Sequence, residues 1–400
     1  MNNTIKLAVA SALLAAASSA SAAGGIVAGD WTLDVGGVVN AYYTNTKTNG
    51  AQTVNNITTG LLPNYLAVSG KTRQNDLDVA FTISIQPGAS TTNSGIQSGA
   101  GSGGAAEAAN QENRQAFLTF GDASWGSIKL GKDIGIYASD AILNDMTLLG
   151  VGRGAGALAG NTTTLGRIGG GYMYADWKAQ AAYTTPNFNG FSATVGVTQA
   201  WNAKGTAGVD NAVTTLRGGG EPAIEAKASY AFAADAVSGK VWVSGLSQNV
   251  QLSSTVERNS TAWDLGATVN AAGFGLTGYY GEGKGTGTVV QFAQAYTNLN
   301  AKRDSSDWYV QATYTLPGVG TKLGASYGES KLDGVTAAAD DIFNSKTNEQ
   351  YTFGAYHPLT KHLNLVAEYT QFNAKVDGVL AADDSASKGK TYSLGAILFF

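Results

Sequence analysis

Cysteine is absent from this sequence of 400 residues. Without a thiol, the chain cannot form disulfides, hold a cysteine-ligated zinc ion or iron–sulfur cluster, or use a catalytic thiolate. Charge is also scarce, since Asp, Glu, Lys and Arg make up 14% of the chain, against about 25% in typical soluble proteins. The formal net charge of −4 gives no basic surface for nucleic acid, so we expect no nucleic-acid partner.

Proline is rare, with 6 residues, whereas glycine (53) and tyrosine (18) are abundant. Long hydrophobic runs are missing too, because no stretch of the mature chain reaches the ~18 apolar residues of a membrane-spanning helix. A helical membrane protein is therefore excluded. A long chain with little charge, many aromatic residues and much glycine is typical of all-β or membrane classes.

The N-terminal segment predicts a signal peptide. Lys6 precedes an apolar run over residues 7–17, and Ala20-Ser21-Ala22 has the small-x-small pattern of a cleavage site. We therefore expect residues 1–22 to be a signal peptide and residues 23–400 to be the mature protein. No break in composition divides the mature chain, which indicates a single domain.

Apolar residues alternate with polar or small ones along most of the mature chain. Segments 77–85, 263–269 and 308–316, for example, are apolar at every second position. A β-strand points successive side chains to opposite faces, so each of these segments has one apolar and one polar face. The period of two predicts an all-β protein.

Three features favour a transmembrane antiparallel β-barrel over a soluble sandwich. Aromatic residues lie near the ends of the predicted strands, as in the girdles of membrane barrels. The polar face carries mid-strand charges, which a dry core would not hold unpaired but a water-filled lumen would; they include Glu225, Lys227, Asp264 and Glu368. Short connections alternate with long polar ones, as in outer-membrane barrels. The long connections are predicted at 44–63, 87–112, 201–221, 250–260, 283–305 and 331–347.

Sixteen strands fit the pattern best, and fourteen or eighteen remain possible because predicted boundaries err by about two to four residues. The predicted strands are 31–43, 64–71, 75–86, 113–122, 125–132, 172–185, 190–200, 223–233, 236–249, 261–271, 273–282, 306–316, 320–330, 348–357, 362–374 and 390–399.

The last predicted strand carries the most specific signal for a barrel. Tyr392, Leu394, Ala396 and Leu398 share one face with Phe400, which is the final residue. Pairing of this strand with the first would close the barrel and remove both sheet edges. A terminal Phe on the lipid face is similar to the signature by which outer-membrane barrels are recognised for insertion, so we expect Phe400 to be an assembly signal for the barrel-assembly machinery.

Short motifs in the first half of the chain resemble the general diffusion porins of Gram-negative outer membranes. An Arg-led strand at 114–121 is followed by the Gly-rich strand 125–132. Residues 137–146 then resemble the family's opening of the third extracellular loop, and residues 183–191 resemble its Tyr-x-Thr-Pro-Asn-Phe-x-Gly hairpin. The four motifs follow one another in the order that the family shows.

This resemblance implies a homotrimer of sixteen-stranded barrels in the outer membrane, each with a long third loop folded into its lumen. Outer-membrane lipids and lipopolysaccharide would surround the trimer. The loop of such a protein carries acidic residues opposite basic residues of the barrel wall. Carried over by position, Asp140 and Asp145 are the loop acids and Arg114 is a wall base.

The remaining candidates for the pore constriction match the family pattern less closely. Strand parity adds Lys129, because Ile128 and Leu130 should face lipid and so turn Lys129 inward. The basic residue expected next along the wall is either Arg167, which has the matching local context, or Lys178, which has nearly the matching spacing.

The function expected from these features is passive diffusion of ions and small hydrophilic solutes through a water-filled channel with a weak preference for cations. The alternative is a substrate-specific channel for sugars or oxyanions, which would need a track of aromatic or basic residues in the lumen. We find no catalytic constellation and expect neither an enzyme, a cofactor nor a metal site. The only two histidines, His357 and His362, fall short of the three or four ligands of a zinc site.

Overall fold

A computed structural model of the protein describes residues 25–89, 111–154, 163–200, 221–252, 255–297, 299–335, 341 and 343–400. The predicted signal peptide lies outside these residues. Helical structure in the described part is limited to α1 (Ser139–Leu143) and two 3₁₀ helices, Met146–Leu149 and Ala381–Asp383. None of these helices has the length and hydropathy to span a bilayer.

Strands make up most of the described chain. They are β1 (Ile26–Ala28), β2 (Trp31–Thr48), β3 (Val54–Thr58), β4 (Tyr65–Gln74), β5 (Leu77–Pro87), β6 (Gln111–Asp122), β7 (Gly126–Ile134), β8 (Trp177–Thr184), β9 (Phe191–Thr198), β10 (Ala223–Ala234), β11 (Val237–Gln251), β12 (Glu257–Ala271), β13 (Phe274–Lys284), β14 (Asp304–Thr315), β15 (Lys322–Asp333), β16 (Phe343–Pro358), β17 (Leu363–Gly378) and β18 (Ser385–Phe399).

The strands form one closed antiparallel barrel with sixteen strand positions. Each strand pairs with the next along the chain, and β18 pairs with β2 in the register Leu398↔Val39 to close the ring. β3 and β4 pair with different ends of β2 and together occupy the second position. β1 only extends the pairing at the start of β2. The prediction of a sixteen-stranded barrel is confirmed.

The two ends of the barrel differ in their connections, as predicted. At one end, tight turns such as Asn75-Asp76 and Ala272-Gly273 adopt positive φ at both residues, which suits the right-handed twist of a hairpin. The long connections, including 135–176 and 285–303, lie between strands at the opposite end.

Several predicted boundaries were wrong at the end with long connections. Residues 44–48 and 54–58 are strand rather than loop, and 257–260 and 343–347 extend β12 and β16. Paired backbone continues into these polar segments because inter-strand hydrogen bonds do not require apolar side chains. Conversely, residues 172–176 are not part of β8, since Asp176 breaks the strand with a φ of 61°.

Side chains alternate between the two faces of the barrel wall. On β11, Val241 and Val243 are exposed outward, whereas Lys240, Trp242 and Ser244 are buried inward. The outward face is therefore apolar and the inward face is largely polar, which is the reverse of a soluble protein and suits a lipid surround.

This alternation also settles the orientation of β6 and β7. Leu118 and Leu130 are exposed outward. Phe117 lies inward, where the Lys129 ammonium is 4.9 Å from the centre of its ring. Lys129 therefore points inward, as its strand parity predicted.

The C-terminal residue belongs to the seam of the barrel. The backbone N–H of Phe400 donates to the Gly37 carbonyl at 3.1 Å, and the Gly37 N–H donates to the Phe400 carbonyl at 2.9 Å. A Cβ on Gly37 would come within 2.7 Å of the Phe400 ring, so glycine leaves the space that the ring occupies. The predicted outward face is confirmed, because 41% of Phe400 and 64% of Leu394 remain exposed; the role of Phe400 in assembly stays a prediction.

The second barrel position is interrupted at residues 59–64, between β3 and β4. Asn40 of β2 holds this segment, since its side-chain amide donates to the Leu62 carbonyl and its side-chain oxygen accepts from the Gly60 N–H. The backbone N–H of Asn40 in turn donates to the side chain of Asn64. We call residues 59–64 the wall bulge. They leave the strand pairing and contact the connection between β7 and β8, which is described next.

Candidate functional site

The connection between β7 and β8, residues 135–176, hydrogen-bonds to inward side chains on seven of the sixteen strand positions of the barrel. We call it the long loop, and the structure describes its residues 135–154 and 163–176. Side chains of seven strands hydrogen-bond to it, and each of them points inward: Tyr42, Glu225, Lys227, Lys240, Ser244, Tyr309, Gln311, Ser326, Ser330, Gln350 and Glu368.

Glu225 of β10 holds the start of the long loop. One carboxylate oxygen accepts the backbone N–H groups of Ile136 and Tyr137, both at 2.8 Å. The other oxygen accepts from the Lys178 ammonium at 2.5 Å and the Thr198 hydroxyl at 2.9 Å. Glu225 is fully buried, so its charge depends on these four donors for compensation.

Asp140 in α1 lies between two lysines of the wall. Its carboxylate pairs with Lys227 of β10 at 3.2 Å and also with Lys240 of β11. Burial alone would raise the pKa of the Asp140 carboxyl, but the two ammonium groups outweigh it and hold the pKa below its ordinary value. The group of three therefore carries one negative and two positive charges.

Asp145 is engaged within the long loop itself. Its carboxylate accepts the backbone N–H of Thr147 at 3.0 Å, capping the 3₁₀ helix, and the Thr147 hydroxyl at 2.6 Å. The Tyr172 hydroxyl donates to it at 2.9 Å from the returning part of the loop. Tyr172 packs in turn on Tyr309, with ring centres 5.8 Å apart, so Asp145 ties the two halves of the loop to the aromatic wall.

The middle of the loop is held by β14. The Tyr309 hydroxyl donates to the Ala141 carbonyl at 2.9 Å. The Gln311 side chain accepts from the Met146 N–H at 2.7 Å and donates to the Asn144 carbonyl at 3.1 Å. Both strand residues bond the backbone of the loop, so they fix its path whatever its side chains are.

Glu368 of β17 repeats the arrangement of Glu225 on another part of the wall. One of its oxygens accepts the backbone N–H groups of Val151 and Gly152 at 2.7 and 2.8 Å. The other accepts the Tyr356 hydroxyl at 2.6 Å. A Cβ on Gly150 would lie 2.2 Å from this carboxylate, so a glycine is needed where the loop backbone passes Glu368.

The wall bulge and the long loop meet at this point. The Leu61 N–H donates to the Gly150 carbonyl at 2.8 Å, and the Thr164 N–H donates to the Gly60 carbonyl at 3.2 Å. The Tyr42 hydroxyl donates to the Leu149 carbonyl at 2.8 Å. The contacts between the long loop and the barrel wall therefore extend from β10 as far as the wall bulge and β2.

Arg167 lies on the returning half of the loop and is completely buried. Its guanidinium donates to the carbonyls of Gln350 and Gly170, each at 3.1 Å, and to the Ser326 hydroxyl. The guanidinium also lies 5.7 Å from the centre of the Tyr309 ring. Arg167 therefore fastens the returning half to β15 and β16.

The remaining predicted bases lie on strands near the origin of the loop. Lys178 on β8 is buried, and besides Glu225 it donates to the Gln291 side chain at 3.1 Å. Lys129 on β7 forms an ion pair with Asp133 four residues further on. The Arg114 guanidinium on β6 lies 5.8 Å from the centre of the Trp177 ring.

Two cavities lie beside β2 and β4 to β8. The first has a volume of 480 Å³ and is lined by Arg114, Lys132, Asp176 and Trp177 together with aliphatic residues of the loop and wall bulge. Burial raises the pKa of Asp176, which belongs to the loop, to about 6.

The second cavity has a volume of 260 Å³ and is lined by inward residues of β2, β4, β5, β6 and β7. It carries two carboxylates, Asp34 and Asp133, and the Phe117 ring. Ile134 lines both cavities. Together they trace one side of the barrel interior, with bases prominent in the first and acids in the second.

The predicted site residues do not form a single group. The ion-pair partners of Asp140 are Lys227 and Lys240, whereas Lys129 pairs with Asp133. Whether Arg114, Lys129, Asp140, Asp145 and either Arg167 or Lys178 set the selectivity of a pore stays a prediction.

Sequence reasoning missed most of the residues that hold the loop. Glu225, Lys227 and Glu368 were recognised as inward charges, but their loop partners were not foreseen. Lys240 and Asn40 were missed, although each stands next to an outward Val, Val241 and Val39 respectively. That parity was the available signal. Among the described residues, no group of three or more His, Asp or Glu side chains could hold a metal ion.

Comparisons with known proteins agree with this architecture. The family model for the Gram-negative porin matches residues 8–377, and no curated protein sequence matches the chain. Similar solved structures include the outer membrane channel DcaP of Acinetobacter baumannii (TM-score 0.66, 16% identity), an anion-selective porin from Comamonas acidovorans (0.62, 15%) and the trimer form of OmpT from Vibrio cholerae (0.53, 10%). The matches cover 94%, 92% and 92% of this chain and 100%, 100% and 99% of the others. At such identities they show the fold.

Proposed function

Because the chain belongs to the Gram-negative porin family, we propose that it lets ions and small hydrophilic solutes diffuse passively through a water-filled lumen, with a weak preference for cations. The barrel itself is an outer-membrane channel. One observation carries the proposal: inward side chains hold the long loop from β10 round to β2, and two cavities remain beside β2 to β8. We place the loop within the lumen and the solute path along these cavities. We propose no catalytic role.

The charges along this path support weak rather than strong selectivity. Arg114 and Lys132 line the first cavity with Asp176, and Asp34 and Asp133 line the second. Charges of both signs therefore face a passing ion, and water and salt screen each of them over about 8–10 Å. Without Lys6 of the predicted signal peptide, the net formal charge changes from −4 to −5, and this mild acidic excess favours cations.

Conductance in planar lipid bilayers tests the function. We expect the purified protein to produce discrete current steps, and a KCl gradient to give a small reversal potential on the cation side. Absence of steps would contradict the channel. A reversal potential on the anion side would contradict the cation preference and leave the channel in place.

We further propose that three copies assemble, as the solved trimer form of OmpT does. Exposed apolar residues near the closing seam could supply part of the interface, among them Val39, Tyr43 and Leu394. Lipids and lipopolysaccharide would cover the rest of the outward face, and the barrel-assembly machinery would act on the strand that ends at Phe400. Native mass spectrometry after mild detergent extraction should give three times the chain mass, and a single-chain mass would refute the trimer.

A further inference from the structure

The connection between β13 and β14, residues 285–303, is folded into a compact unit. Its two ends meet, since the Gly285 N–H donates to the Arg303 carbonyl at 2.8 Å. Between these ends, Phe292 and Tyr296 are buried in a small apolar cluster with residues at the end of β11. A segment with a closed base and buried apolar contacts resists local opening, so this connection holds its shape beside the solute path.

The Arg303 side chain fastens this connection to the rest of the barrel. Its guanidinium donates to the carbonyls of Gln294 and Tyr296 at 2.8 and 2.9 Å. It also donates to both carboxylate oxygens of Asp341, at 2.6 and 3.1 Å. Two parallel charge-assisted hydrogen bonds fix the orientation of both groups, and Asp341 belongs to the connection between β15 and β16. The two connections therefore support each other.

Residues 289–291, which we call the tip, reach across to the long loop and to β8. The Val289 carbonyl accepts the Tyr174 N–H at 2.9 Å, and the Gln291 side chain accepts from the Lys178 ammonium at 3.1 Å. Four strands, β9 to β12, separate β8 from β13 in the barrel wall. A connection that lay over its own two strands could not make these contacts, so the tip extends towards the middle of the ring.

The tip also contributes to the first cavity. Val290 lines this cavity and is half-buried. Its two neighbours in the chain are held in place, Val289 by the long loop and Gln291 by Lys178. A valine side chain has no hydrogen-bonding group and no charge, so Val290 acts on a passing solute through the space that it occupies.

We propose that the tip and the long loop form a second constriction of the solute path, in which Val290 limits the size of the solutes that pass the first cavity. This inference rests on the proposed channel function and adds a size-determining residue to it. It does not depend on the charges of the cavity, because pore diameter alone limits the passage of a neutral solute.

Chemical modification of a single thiol in the folded channel tests the position of Val290. Val290→Cys introduces one thiol into a chain that has no other. Benzyl methanethiosulfonate, added to open single channels, forms a mixed disulfide with this thiol as methanesulfinate leaves. We expect the conductance to fall by about half or more, because the added ring narrows the path, and dithiothreitol to restore it. Val379→Cys, at an exposed position between β17 and β18, is the matched control and should keep its conductance.

Swelling of liposomes in neutral sugars tests the size limit separately from charge. The rate for sucrose is divided by the rate for arabinose in the same liposomes, so the amount of inserted protein cancels. Val290→Ala should raise this ratio by about twofold or more, and Val290→Trp should lower it by a similar factor. The controls Val379→Ala and Val379→Trp should give the native ratio.

The outcomes distinguish this inference from the channel proposal. Clear current steps with unchanged conductance after modification of Val290→Cys, verified by mass spectrometry, would overturn the constriction alone. Failure of the thiol to react would overturn it too, because a residue that lines the path must be reachable from water. An unchanged ratio of sugar rates in both Val290→Ala and Val290→Trp would have the same consequence. Absence of current steps would refute the channel itself.

Discussion

The variant Glu225→Ala is expected to lose about 3–5 kcal/mol of stability, because it leaves a buried charge without its partner. The side chain of Lys178 is only 2% exposed, and Gln291 would be its one remaining acceptor among the described hydrogen bonds. The Ile136 and Tyr137 N–H groups would lose their acceptor as well. The lost stability should appear as a lower temperature at which the band of the folded protein on gels is replaced by the band of the unfolded protein.

A second substitution distinguishes a lost ion pair from general disruption. In Glu225→Gln with Lys178→Met, no charge is left buried, and the amide oxygen can still accept from the loop backbone. This double variant should regain a large part of the stability. Glu257→Ala, at an exposed position of β12, is the matched control and should unfold as the native protein does. Equal transition temperatures for Glu225→Ala and Glu257→Ala would show that Glu225 does not hold the loop.

The variant Asp140→Asn is expected to move the reversal potential towards anions. Removing the Asp140 carboxylate charge changes the formal charge of the group that it forms with Lys227 and Lys240 from +1 to +2. A unit charge at about 8 Å is worth about 0.5 kcal/mol in water, or about twofold for each ion. Because cations and anions respond in opposite directions, the ratio of cation to anion permeability should change by about fivefold, less the screening by salt. Bilayer recordings under a KCl gradient give this ratio directly.

Charge restoration provides the control for Asp140. Adding Lys227→Gln to Asp140→Asn returns the group to a formal charge of +1, and the reversal potential should return towards the native value. Asp383→Asn, in the exposed 3₁₀ helix Ala381–Asp383, removes the same charge far from the cavities and should have little effect. If Asp140→Asn and Asp383→Asn give the same reversal potential, Asp140 does not act on the path.

The two wall glutamates explain why inward charges are useful in this barrel. Glu225 and Glu368 each accept two consecutive backbone N–H groups of the long loop. Loop segments that leave a strand have backbone donors without partners, and a buried unpaired N–H is costly. A carboxylate satisfies two of them at once with charge-assisted hydrogen bonds, so each glutamate can fix a stretch of loop independently of its sequence.

The barrel could be predicted from the sequence because its rules are local. Alternation of side chains follows from strand geometry, so segments such as 77–85 and 308–316 showed their two faces without any tertiary information. The turn Ala272-Gly273 and the apolar face that ends at Phe400 carried equally local signals. The same parity placed Lys129 inward, which the structure confirms.

The path of the long loop was decided only by the tertiary structure. Its partners, including Glu225, Tyr309 and Glu368, are up to 217 residues away in sequence from the loop residues that they contact. Periodicity gives the face on which a side chain lies, but not which of sixteen strands its partner belongs to. The wall bulge at 59–64 was hidden for the same reason, because its contact with Gly150 exists only after closure of the ring brings β2 beside β18. The sequence alone thus determined the barrel and its two faces, whereas the arrangement of charges inside it required the folded chain, because ion pairs and loop contacts form between residues whose proximity no local pattern records.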